Sequence, residues 1–321
     1  MKTYVTVGDF IDSYYRLKNK GLGFFFSRLN LSPKQRTKKA WNNNIINNPR
    51  WWEIPTVKDR LNFLKTGNRK IEVAEYIYNK FIKDKQNLTM LSPGCGTGFK
   101  ELNFAKFKEI AKLDAFDIAE KRITAAKNTA QKLGFTNVNF FPADISTYDF
   151  GNEKYDIIIF DSFLHHVKNV AGTLKKAKQA LTKNGILIID EYVGRNRFQW
   201  EQEQLEAANI ALMRLPVNLR RRMSGKVKYK IYRPGLIRMI LSDPSEAVNS
   251  EAIIEQLNKL FIPIEVHLIG GNILQLVLKD IEHNFVDTTE ETNTALSQLF
   301  EKEDSFIAKG KSDFLFGIYK K

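Results

Sequence analysis

The stretch Leu88-Thr89-Met90-Leu91-Ser92-Pro93-Gly94-Cys95-Gly96-Thr97-Gly98 decides how this chain is read. Residues 88–91 have the length and character of a short buried strand, and they run directly into glycines at alternate positions. Glycine lets a backbone turn and approach a ligand without a side chain in the way, and a helical pattern opens at Phe99. Taken alone, such a loop marks a nucleotide-type ligand without distinguishing one nucleotide from another. The lysine and hydroxyl of an ATP-type phosphate loop are absent, because Phe99-Lys100-Glu101 follows Gly98.

Outward from this loop, short apolar runs alternate with helical patterns as far as Tyr192, which is the signature of βαβ units in a parallel sheet. Strands are expected at 88–91, 113–116, 138–141, 155–160 and 186–189. Helices are expected at 99–112, 120–133 and 170–181, with a short one after Asp144. Two late strand-like stretches, 264–269 and 314–319, bracket a helical stretch at 272–308 and would complete the sheet from the C-terminal side. The chain divides into a helical extension at 1–86, a core at 87–194, a mostly helical insertion at 195–262 broken by Pro216, Pro234 and Pro244, and a closing segment at 263–321. The extension is rich in aromatic and basic residues: Tyr14, Tyr15, the run Phe24 to Phe26, Trp41, Trp51 and Trp52.

Two carboxylates stand in register with the loop. Asp117 ends the second expected strand nineteen positions after Gly98, where a carboxylate can accept the hydroxyls of a ribose. Asp144-Ile145 follows the third strand, where an acid and an apolar side chain can grip an adenine. Either acid in isolation reads equally well as a strand-end or helix-capping aspartate. Together with the loop they form one nucleoside site.

With the run Phe160-Asp161-Ser162-Phe163-Leu164-His165-His166 after the fourth strand, residues 88–192 resemble the class I methyltransferases that depend on S-adenosylmethionine (SAM). The resemblance implies an α/β, Rossmann-like, seven-stranded mostly parallel sheet with helices on both faces, to which the extension and insertion add helical lids. It implies that Gly94, Gly96 and Gly98 pass under the methionine and ribose of SAM, that Asp117 with Ile118 holds the ribose, that Asp144 and Ile145 contact adenine, and that Asp161 and Ser162 lie near the methionine. Asp190-Glu191-Tyr192-Val193-Gly194, Arg197-Phe198-Gln199-Trp200 and Trp51-Trp52-Glu53-Ile54-Pro55 look like an uncharacterised bacterial branch of the family. One departure stands out: the acidic residue usual two positions before the first loop glycine is Ser92 here, leaving the contact to the methionine ammonium to water or Asp161.

Methyl transfer from a sulfonium is an in-line displacement, so the residues needed are those that position the acceptor and, for a hydroxyl acceptor, a base. His165 is the first candidate, at the carboxyl edge of the fourth strand, with Glu191 and Tyr192 next; His166 reads as structural. The same two imidazoles also suit a helix start where they satisfy backbone groups. Trp51, Trp52, Phe198 and Trp200 suit stacking on a ring substrate or a core, and Arg195, Arg197 and Arg233 suit an acidic group on the acceptor or a solvated surface.

Composition limits the alternatives. No apolar run in the 321 residues approaches the roughly 18–20 that a membrane helix needs. The first ten residues carry Asp9 and lack the apolar core of a secretory signal, so the expected compartment is the cytoplasm. One cysteine and four histidines make a disulfide or a structural metal site an unexpected feature, and no metal is expected. The formal charge of +14 raises the question of an acidic partner, and the run Arg220-Arg221-Arg222 with Lys226, Lys228 and Lys230 reads either as a binding patch or as one solvated helix face. The expected reaction is O-methylation of a small molecule or a glycan-type or lipid-linked precursor. A nucleic-acid (RNA) methyltransferase is second, disfavoured by Asp161-Ser162-Phe163-Leu164 where base amino-methylating enzymes carry Asp-Pro-Pro-Tyr, and a non-catalytic SAM-binding protein is third.

Overall fold

The computed structural model describes residues 3–20, 31–42 and 50–321; the run Phe24 to Phe26 lies outside the described residues. Strands β1 (Leu88–Pro93), β2 (Ile110–Asp117), β3 (Val138–Pro142), β4 (Tyr155–Asp161), β5 (Leu181–Tyr192), β6 (Ile262–Gly270) and β7 (Phe314–Lys320) form one sheet in the order β3-β2-β1-β4-β5-β7-β6. Strands β1 to β5 pair parallel, and β7 runs antiparallel between β5 and β6.

Successive side chains of a strand point to opposite faces, and here both faces are apolar. Met90, Ile157, Ile159, Ile186, Ile188, Phe316 and Ile318 enter one core, covered by helices Pro55–Thr66, Phe99–Ala105, Glu120–Lys132 and Glu290–Ile307. Their chain neighbours Leu91, Ile158, Leu187, Ile189, Leu315 and Tyr319 enter the other, covered by Val170–Ala180 and Ala252–Leu260. At about 1.5–3 kcal/mol for each large apolar side chain fully buried, this double layer fixes the sheet and the loops at its carboxyl edge.

Four expectations about elements need correction. The helix expected at 99–112 stops at Ala105, because Asn137 Nδ2 donates to the carbonyls of both Ala105 (2.9 Å) and Ile110 (2.9 Å) and turns the chain into β2. No helix follows Asp144, which instead caps a single turn through Ser146 (Oδ1 to the amide, 2.9 Å). Tyr148 and Phe150 cover that part of the sheet, their rings 4.7 and 6.2 Å from Phe116. The stretch 272–308 divides into Leu274–Leu278, a 3-10 turn and Glu290–Ile307, since the Lys228 ammonium takes the carbonyls at the end of the first helix. The basic run is no helix face: Arg221 and Val227 form an antiparallel bridge around Gly225, whose φ is 81°. Among the described residues no helix is long and apolar enough to cross a membrane.

Candidate active site

The sheet order changes direction between β1 and β4, since β1 leads outward to β2 and β3 while β4 leads to β5. Loops leaving two such strands diverge and open a crevice at the carboxyl edge, the usual ligand position in open α/β sheets. A cavity of 1720 Å³ occupies it. Gly94, Gly96, Asp117 and Ile118 line one side, Asp144 and Ile145 the far end, and Asp161 and Ser162 the β4 side.

The three glycines have different reasons to be glycine. All have positive φ, a region that side chains disfavour. A Cβ on Gly94 would lie 2.0 Å from the Phe163 ring, whereas one on Gly96 would meet nothing nearer than Arg122 at 3.4 Å, so Gly96 keeps the cavity open. Gly98 does not line the cavity, contrary to the expectation that it passes under the ligand. Its Cβ would sit 2.5 Å from Phe140 and 3.0 Å from Ala126, so it is glycine to let helix and sheet pack closely.

Asp117 ties two loops together, with Oδ2 accepting the Gly96 amide at 3.0 Å and Oδ1 the Ala119 amide at 2.8 Å. Burial pushes its pKa up against the pull of those amides and Arg122. Asp144 pairs with Lys34 at 2.5 Å, and although burial opposes it, Lys34 and Ser146 hold the carboxyl below its ordinary range. Helix Pro33–Asn42, which carries Lys34, thus reaches across the cavity; the Trp41 carbonyl accepts from Arg122 Nε at 3.1 Å, and Lys38 meets Glu120 at 2.7 Å. Asp161 pairs with Lys100 and accepts from Ser162 Oγ at 3.1 Å. Behind it Asp190 pairs with Lys65 at 2.5 Å.

The expected catalytic trio stands behind the cavity wall. His165 is 7% exposed, with Nδ1 2.7 Å from Glu191 Oε2 and Nε2 3.7 Å from Glu246 Oε1. Glu191 is fully buried and accepts the amides of Phe163 (2.6 Å) and Leu164. The buried Tyr192 hydroxyl donates to the Arg195 carbonyl at 3.0 Å. None of the three lines the cavity, but His166 does. In the 3-10 turn Leu164–His166 neighbouring side chains diverge by about 120°, so only one imidazole can face inward. The His166 ring stands edge-on to Trp41 at 5.0 Å, with Nδ1 3.2 Å from Ser245 Oγ. Burial opposes protonation of His165, yet Glu191 and Glu246 outweigh it and raise its pKa; burial and then the His165 charge lower that of His166. Ligand-type atoms of His165, His166 and Glu246 lie within 4.8 Å of one another.

A second cavity, of 900 Å³, adjoins the first, and Trp41 lines both. Phe198 and Trp200, stacked 5.7 Å apart, form part of its wall. Arg222, Lys226, Lys230, Arg233 and Lys279 line it against Asp243, Glu246 and Asp280. The basic run is split: Arg220 and Lys228 are buried and Arg222 is half-buried, while Arg221, Lys226 and Lys230 are exposed. Arg195 and Arg197 are engaged elsewhere, the first by Glu251 (2.7 Å) and Glu201, the second by the carbonyls of Pro244 (2.6 Å) and Glu246 (2.9 Å). Trp51 is core, and Trp52 lines the first cavity beneath Arg50.

Sequence reasoning missed Glu101, which lines the first cavity and accepts from Ser92 Oγ at 2.6 Å. The signal was present as an acid one helical turn beyond Gly98, beside a strand that lacks its own.

Comparisons with known proteins agree with this geometry. A family model described as a methyltransferase domain matches residues 84–234. An (S)-tetrahydroprotoberberine N-methyltransferase of Eschscholzia californica is 28% identical over 157 residues, 47% of this chain and 44% of that protein. A malonyl-[acyl-carrier protein] O-methyltransferase of Acetivibrio thermocellus is 29% identical over 111 residues, 35% of this chain and 38% of that protein. The matched stretches thus span less than half of either relative. The structure of Haemonchus contortus phosphoethanolamine N-methyltransferase 2 with SAM has the same fold, at a TM-score of 0.51 and 16% identity, covering 91% of this chain and 60% of that one. Residues 84–234, with their glycine loop, sheet order and crevice, match a methyltransferase domain, and the sheet has the Rossmann-like fold of a SAM-dependent methyltransferase.

Proposed function

We propose that the chain transfers the methyl group of SAM to an oxygen of a small anionic molecule, the acceptor entering the second cavity and meeting the cofactor beside Trp41 and His166. The observation that carries this reading is the pair of cavities that share Trp41, the second lined by more cationic than anionic side chains. The first cavity suits SAM in the chemistry of its donors: Asp117 for the ribose hydroxyls, Asp144 and Ile145 for adenine, the open backbone at Gly96 for close approach, and Asp161, Ser162 and Glu101 at the methionine end. When bound, SAM supplies an electrophilic methyl on a sulfonium, and the chain's part is to orient the acceptor and exclude water. His166, whose pKa is lowered, is neutral at neutral pH and suits the removal of a hydroxyl proton. Glu191, His165 and Tyr192 act as its supports. The relatives' names include both N- and O-methyltransferases, so the acceptor atom rests on this chain's own residues. The cationic lining of the second cavity favours a small anion over a nucleic acid, whose phosphate backbone calls for a continuous basic outer face.

The test uses the full chain with SAM labelled in its methyl group, incubated with a cell extract and read by mass spectrometry. Label on oxygen of small anionic compounds is expected; label in RNA or protein, or on nitrogen, overturns the proposal. SAM should also raise the melting temperature, and Asp117→Ala should abolish the shift.

A further inference from the structure

The strand end nearest the glycine loop carries no acid, and a helix supplies one. Ser92, at the carboxyl end of β1, is buried, and its hydroxyl donates to Glu101 Oε1 at 2.6 Å from nine positions earlier in the chain. Glu101 sits in the first turn of helix Phe99–Ala105, only 5% exposed, and its second oxygen, Oε2, is buried with no hydrogen-bond partner among the described residues. A buried carboxylate oxygen left unpaired is costly unless something meets it. Its residue lines the cofactor cavity, so the partner can come from the ligand.

The surrounding charges say what that partner is. Asp161 of β4 and the Cys95 thiol of the loop face Glu101, and neither supplies positive charge; Lys100, the adjacent cation, is held by Asp161. Burial, opposed by the Ser92 hydroxyl and helped by Asp161, raises the Glu101 pKa to about 7. A cation arriving there would gain a charge-assisted hydrogen bond and would draw the carboxyl into its ionised form. SAM carries an ammonium at its amino-acid end.

We propose that Glu101, braced by Ser92, is the residue that receives the α-ammonium of SAM, so that the carboxylate reaches its position from the helix rather than from the strand. This rests on the reading of the first cavity as the SAM site. Serine at 92 then has a function of its own: a longer side chain would occupy the position Glu101 takes, and alanine would leave Oε1 unpaired.

Calorimetry on the full chain tests this with two probes, SAM and 5′-methylthioadenosine, which keeps the adenosine and lacks the amino-acid end. Glu101→Gln should weaken SAM binding about tenfold to hundredfold and leave 5′-methylthioadenosine unchanged. Moving the acid to the strand, in the double variant Ser92→Asp with Glu101→Ala, which clears the position the longer side chain needs, should restore SAM affinity. Wild-type binding of SAM at pH 7, measured in buffers of different ionisation enthalpy, should release a fraction of a proton, and Glu101→Gln should abolish the release. Equal loss of both probes would mean a structural role and would overturn the inference, as would unchanged SAM affinity in Glu101→Gln. If the wild type bound neither probe, the SAM site itself would fall, and the inference with it.

Discussion

Glu191 Oε2 lies 2.7 Å from His165 Nδ1, while its other oxygen accepts the amides of Phe163 and Leu164, so one fully buried carboxylate on β5 holds both ends of the turn after β4. Breaking a buried pair of this kind leaves an uncompensated charge, and Glu191→Ala should lower unfolding free energy by about 3–5 kcal/mol. Denaturant midpoints check this. The pair also has a pH signature. Glu191 and Glu246 raise the His165 pKa above its ordinary value despite burial, so its stabilising contribution is complete below the unfolded histidine pKa and is lost as pH rises through the folded one. The stability gap between wild type and His165→Gln should therefore narrow as the pH is raised past neutrality; a gap that widens with pH would refute the assignment.

Two glycines four residues or fewer from each other in chain order should separate folding from binding. Gly98→Ala drives a methyl into Phe140 and Ala126, and Gly96→Ala meets only the end of the Arg122 side chain at 3.4 Å but keeps a strained positive φ of 57°. The first should cost several kcal/mol of stability by overpacking and strain together; the second should cost about 1 kcal/mol and put its methyl where the cofactor would approach. Thermal melts with and without SAM check the pair. Gly96→Ala is expected to melt near the wild type and lose the SAM-dependent rise, whereas Gly98→Ala is expected to melt much lower.

Lys228 is buried, and its ammonium donates to the carbonyls of Leu276 (2.9 Å), Val277 (2.9 Å) and Lys279 (2.6 Å). It replaces the capping that the C-terminus of Leu274–Leu278 would otherwise need. Lys228→Met keeps the volume and removes the donors, so it should destabilise by about 2–4 kcal/mol through the stranded carbonyls. Hydrogen exchange at residues 274–281 should report the loss locally, with little change in the β1 to β4 amides.

How much of this was legible in the sequence follows from how local each signal is. The unbroken apolar runs Ile157 to Phe160 and Ile186 to Ile189 declare strands buried on both sides, and Gly94 with Asp117 and Asp144 declares a nucleoside crevice, because strand ends and loop glycines are set within a few residues. The orientation of His165 and His166 depends on the phase of a three-residue turn fixed by Glu191, which lies 25 or more positions away. The end of Leu274–Leu278 depends on Lys228, 48 residues earlier than Leu276. The basic run looked like a surface feature because charge is normally solvated, and only the fold turns part of it inward around a cavity.

The exchange of places between the two histidines gives the last prediction, one that needs no acceptor. His166 has its pKa lowered first by burial and then by the charge on His165, their rings 4.1 Å apart. Only four histidines are present, so their imidazole resonances can be assigned by substitution and followed through a pH titration by NMR. In the wild type the His165 midpoint should lie above 6.5 and the His166 midpoint below it. His165→Gln removes the neighbouring cation, and the His166 midpoint should then move upward, toward the ordinary histidine value but not past it, because burial remains. Glu191→Gln should act in the same direction by making His165 harder to protonate. If the His166 midpoint stayed fixed in both variants, the imidazoles would be electrostatically independent, and the neutral His166 assigned as base would have to owe its pKa to burial alone.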